Sequence, residues 1–145
     1  MQTLIEIVIG MFLAVGFILI VRRSRTYTRE KRSLAIGLVV TALIYVGLGL
    51  FSSSLGWILT ELAGVPIYAV FAWLGLRKSG WWLAAGWALH PLWDACLHDY
   101  STHFVPHWYI GGCIGFDLLV AVYVGFREIR LSPASHSRRL PGIQT

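Results

Sequence analysis

Long apolar stretches separated by short polar ones set the pattern of this chain. Residues 4–21 run without a polar break except Glu6 near the start, and stretches of the same kind cover 34–51, 55–76, 80–97 and 108–126. Each is long enough, as an α-helix, to cross a hydrocarbon core of about 30 Å. The predicted fold class is therefore all-α, a polytopic membrane protein with five transmembrane helices forming a single domain over residues 1–130. Residues 131–145 hold two prolines, three serines and paired arginines, which predicts a disordered tail. The first apolar run is expected to be retained, because its positive charges follow it and no small-residue cleavage site appears.

Charge turns this pattern into a topology. All twelve Lys and Arg residues lie in the first loop, in the third loop (Arg77, Lys78) or beyond the fifth span. The segments on the other side, 1–3, 52–54 and 98–107, hold none. The positive-inside rule then predicts an outer N-terminus, a cytoplasmic C-terminus and a multi-pass protein of the cell (cytoplasmic) membrane. With 57% hydrophobic and 13% charged residues, the chain is too apolar for an ordinary soluble domain. The bilayer is the expected partner, and the net charge of +5 is an orientation signal rather than a nucleic-acid footprint, since no nucleic-acid-binding motif accompanies it. Anionic lipid headgroups are the other role open to the basic loop.

Against this background the ionisable residues inside the spans stand out. His90, Asp94 and His98 are spaced by four, so they share one face of the fourth helix, and groups at such depth almost always point into the bundle. Counting at 1.5 Å per residue from the outer ends, Glu61 lies roughly 10 Å in on the third helix, Asp94 roughly 9 Å and His90 roughly 15 Å on the fourth, and Asp117 roughly 13 Å on the fifth. With His98, Asp99, His103 and His107 above them, the outer half holds four of the five histidines and, with Glu6, five of the seven acids. The inner half is expected to be almost purely apolar. Pro66 and Pro91 remove the helix hydrogen bonds to Leu62 and Trp87, and a kinked pair of helices there would open a pocket outward.

Imidazole and carboxylate are ligands for zinc, non-haem iron or manganese, and the four-residue spacing lets His90 and Asp94, or Asp94 and His98, reach one ion, with Asp117 and Glu61 completing it from neighbouring helices. The metal candidates are thus His90, Asp94, His98 and Asp117, and the catalytic candidates His90, Asp94, Glu61 and Asp117, with a divalent transition metal (Zn or Fe) as the candidate cofactor. A lipid-like or small apolar molecule would be the substrate. Three alternatives stay open: a metal-free acid/base pocket, a proton-coupled carrier using the same carboxyls, and a structural hydrogen-bonded cluster in a subunit of a larger membrane complex. The oligomeric state is not specified by any of these features. Trp57, Trp81, Trp82 and Trp108 fit interfacial belts, Trp87 and Trp93 fit helix packing, and Gly111, Gly112 and Gly115 would let another helix come close. Cys96 and Cys113 are expected to be small core residues.

The run Gly86-Trp87-x-Leu89-His90-Pro91-x-Trp93-Asp94, followed by His98 and by Gly112-Cys113-Ile114-Gly115-Phe116-Asp117, resembles a family of small multi-spanning membrane proteins known only as a domain of unknown function. The resemblance lies in the fourth and fifth spans; the first three are similar mainly in hydropathy. It implies that His90, Asp94, His98 and Asp117 belong to the family pattern, and it implies no activity. Where family members often end the fourth helix in a His pair, this chain has Leu97 at the first position. A looser similarity to the sterol-isomerase-like five-helix membrane fold is an analogy of architecture.

Overall fold

A computed structural model describes residues 1–24, 26–51, 54–97 and 105–131. They form five helices and, among the described residues, no strand: α1 (Gln2–Arg22), α2 (Tyr27–Gly49), α3 (Leu55–Arg77), α4 (Gly80–Leu97) and α5 (His107–Leu131). Four of them, α1, α2, α3 and α5, are long and apolar enough to cross a membrane. The fourth is the shortest at 18 residues and carries His90, Pro91 and Asp94, which lowers its apolar character. It is sheltered between α3 and α5.

The helices begin and end where the chain supplies breaks and polar residues. Ser79 accepts a hydrogen bond from the Trp81 amide at 3.3 Å and so caps the first turn of α4. Neither Pro66 nor Pro91 interrupts its helix, and each lies inside a continuous α-helical segment. The helix α2 starts at Tyr27, seven residues before the apolar run, because Arg29, Lys31 and Arg32 are acceptable helix formers whose charged ends can extend to water. That extension brings Glu30 against the end of α5, as described below.

Around α5 and α4 the packing closes: α1 and α4 lie against α5, α3 lies against α4 and α2, while α1 and α2 hardly touch. The shared core joins Ala14 and Ile18 of α1, Leu34 and Leu38 of α2, Ala72 of α3, Leu83 and Trp87 of α4, and Val120 and Val124 of α5. Trp87 is fully buried, with the rings of Phe17 and Phe116 at 6.3 and 5.9 Å from its own, so packing is its role. Outward faces carry large exposed apolar side chains such as Phe12 and Val122, as a lipid-facing surface requires.

The α1 and α5 backbones approach through small residues. A Cβ at Gly10 would collide with the Gly112 carbonyl, and one at Gly115 with the carbonyl of Ile7. The glycines of the fifth apolar run thus receive α1. Gly10→Leu is expected to force these helices apart and cost about 1–3 kcal/mol of stability, read as a lower thermal midpoint in detergent. An unchanged midpoint would mean the close approach contributes nothing.

An almost purely apolar inner half is expected from sequence, but the end of the bundle where α2 and α4 start and α5 finishes holds a polar cluster. Glu30, buried in the first turn of α2, accepts hydrogen bonds from Arg127 of α5 at Nε and Nη2, both 3.0 Å, and from the Tyr123 hydroxyl at 2.6 Å. Beside it the Glu128 carboxylate accepts from the Tyr27 hydroxyl, from Ser79 Oγ at 3.4 Å and from the Gly80 amide at 3.1 Å. The two glutamates tie the starts of α2 and α4 to the end of α5.

Candidate metal centre

His90 and Asp94 lie one turn apart on the buried face of α4, and Asp117 meets them from α5. Their side chains are 1%, 0% and 1% exposed. His90 Nδ1 is 2.9 Å from Asp117 Oδ2, a hydrogen bond, and 3.7 Å from Asp94 Oδ2. One ligand atom from each of the three lies within 4.8 Å of the others. Bonds to imidazole nitrogen and carboxylate oxygen in such sites run about 2.0–2.2 Å, so small side-chain adjustments bring the three around one ion.

Two more helices enclose the group. The imidazole is held between Tyr68 of α3, with ring centroids 4.8 Å apart, and Tyr45 of α2, at 5.6 Å. Tyr45 is itself buried and interacts with both Asp94 and Cys113. Glu61, buried on α3, is close enough to act electrostatically on His90 and Tyr68.

Charge makes this arrangement demanding. Asp94, Asp117 and Glu61 bring three carboxyls to one histidine, while residues 33–76 and 79–126 contain no Lys or Arg. Asp117 Oδ1 is buried with no hydrogen-bond partner among the described residues. An unsatisfied buried acceptor costs about 1–3 kcal/mol and a charged one more, so protons or a cation must neutralise the cluster. A divalent ion would offset two of the three carboxylates and suits the donor set of His90, Asp94 and Asp117.

Of the residues singled out in the sequence, His90, Asp94 and Asp117 come together and Glu61 stands near them. His98, with Asp99 and His103, lies outside the described residues, as does the expected tail beyond Leu131. His107 is the first residue of α5, with Nδ1 3.6 Å from Glu6 Oε2. Cys96 is exposed and Cys113 half-buried, both as free thiols; the first is thus not the core residue expected, because α4 turns it away from its neighbours. Tyr45 and Tyr68 were not anticipated. A signal existed: each is a hydroxyl-bearing ring inside an apolar run, where buried tyrosine needs a partner.

A model of a family of unknown function, DUF6010, matches residues 2–130. The chain belongs to that family. No curated protein and no solved structure matches it. The DUF6010 match takes in α1–α3 as well as the two helices that carry the resemblance in sequence, and it contains every residue of the centre.

Proposed function

We propose that this DUF6010 protein crosses the cell membrane five times, with its N-terminus outside, and holds a divalent transition metal, zinc or iron, at His90, Asp94 and Asp117. Glu61 serves as a further ligand or proton donor. The chain acts as an enzyme on a lipid-like or small apolar molecule. The observation that carries this is the convergence of one imidazole and two carboxylates from two helices, fully buried and with no basic residue in their spans. A metal in that position would supply Lewis acidity and activate water near neutral pH. The protein side chains orient it: Tyr45 and Tyr68 fix the His90 ring, and the apolar bundle restricts water.

Elemental analysis of detergent-purified protein tests the centre. Wild type is expected to carry stoichiometric zinc or iron, and the His90→Ala, Asp94→Ala double variant none. Absence of metal from both overturns the metal assignment. The direct 2.9 Å hydrogen bond between His90 and Asp117 favours one other reading in that event, a metal-free dyad in which Asp117 orients the imidazole as a general base.

The sidedness rests on the distribution of basic residues and on the short α4 being enclosed by its neighbours. In a background with both native cysteines replaced by alanine, Thr3→Cys is expected to react with a membrane-impermeant maleimide in intact cells, and Ser24→Cys only after lysis. The opposite pattern would invert the topology.

A further inference from the structure

Between α1, α2 and α5 lies a partly open cavity of about 300 Å³, on the side of the bundle where α1 and α2 hardly touch. This volume is at the lower end of small-molecule sites, about 300–1,000 Å³. Its walls are almost entirely carbon: Ile9 and Leu13 on one side, Ile44 on another, and Phe116 on the third. Glu6 is the only acid among the lining residues, and it stands at the end nearest the starts of α1 and α5.

Glu6 is more than nine-tenths buried, and its Oε2 has no hydrogen-bond partner among the described residues, the 3.6 Å approach of His107 aside. A carboxylate so placed is poorly solvated and calls for a donor. Below it, one and two turns along α1, only apolar side chains follow. The combination of an acceptor at one end, a greasy bore and a lateral opening matches a molecule arriving from the bilayer with a donor at its head.

Cys113 connects this cavity to the buried centre. It lines the cavity, and Tyr45, buried beside it, interacts with both Cys113 and Asp94. A single side chain, Tyr45, therefore stands between a bound molecule and the His90 group.

We propose that this lateral cavity binds a single-chain amphiphile from the bilayer, its hydrogen-bond-donating head, a hydroxyl or an amine, on Glu6 and its apolar chain along Ile9, Leu13 and Phe116. The cavity stands on its own observations. Only its role as the substrate site of the His90 centre rests on the proposed function.

The test is photolabelling of the full chain in lipid nanodiscs with a diazirine-bearing fatty alcohol, the matching fatty amine and the matching fatty acid. The alcohol and the amine are expected to label lining residues about tenfold more than the acid, whose carboxylate would face Glu6 without a proton to share. Glu6→Gln is expected to remove that preference. Gly112→Leu is the second variant: Gly112 lines the cavity and an added Cβ there meets no atom within 4 Å, so leucine fills the space without displacing a helix. It is expected to abolish labelling by all three probes while leaving metal content as in wild type. Equal labelling by the acid, or undiminished labelling of Gly112→Leu, overturns the inference. The alcohol-to-amine ratio identifies the head group, and labelling that persists in a metal-free Asp94→Asn protein separates this cavity from the metal assignment.

Discussion

Removing metal with a chelator is expected to lower the thermal midpoint of the wild-type protein by several degrees and to leave Asp117→Asn where it was. Asparagine keeps the size of the side chain and can still hydrogen-bond to His90, so shape is retained and only the charge is lost. If an ion is held, losing one of three ligands should weaken it by more than about 100-fold, since even groups one step removed from a metal cost 10–100-fold. A ligand at a hundred times its dissociation constant stabilises the native state by about 2.7 kcal/mol, and that increment is what the chelator takes away. A purely structural cluster behaves differently. There Asp117→Asn shifts the midpoint by the lost interaction alone, and wild type shows no chelator dependence. Differential scanning fluorimetry in detergent, with and without chelator and with metal added back, reads both cases.

Arg127→Ala is expected to be the more damaging change at the opposite end. Glu30 is 4% exposed and Arg127 29% exposed, and their two hydrogen bonds of 3.0 Å form a fork that a lysine would not reproduce. Taking away one partner leaves a buried carboxylate with only Tyr123 to answer it, a loss of about 3–5 kcal/mol for buried pairs. The start of α2 would then detach from the end of α5. Replacing both groups, as Glu30→Leu with Arg127→Leu, should recover most of the stability, because the buried charge disappears with its partner. Chemical denaturation of the two variants beside wild type measures the difference. A single variant as stable as wild type would show that the clasp does not hold the bundle.

Helix number and order were legible in the sequence because each apolar run exceeds what a soluble helix normally carries, and the breaks between them hold serine, glycine or charge. The helix starting at Tyr27 was less legible, since its first turns are as charged as a loop. In consequence nothing in the linear pattern marks Glu30 as buried or discloses the clasp it makes: it needs Arg127 and Tyr123, ninety-odd positions away, to make a buried glutamate tolerable. The His90 group was foreseeable in part. Spacing of four put His90 and Asp94 on one face, and depth counting put Asp117 at the same level, but nothing in a linear pattern says which neighbour that face meets.

Taken alone, the order of residues determined an all-helical chain suited to a membrane and the candidates His90, Asp94, Glu61 and Asp117, because helix periodicity and the cost of burying charge are local properties. Only the tertiary structure decided that α5, not another helix, supplies the partner of His90, that Tyr45 and Tyr68 flank the ring, and that α1 and α2 part to leave a cavity under Glu6. These depend on where glycines allow backbones to touch and where larger side chains keep them apart. Such distances arise between residues far apart in the chain and are set by packing.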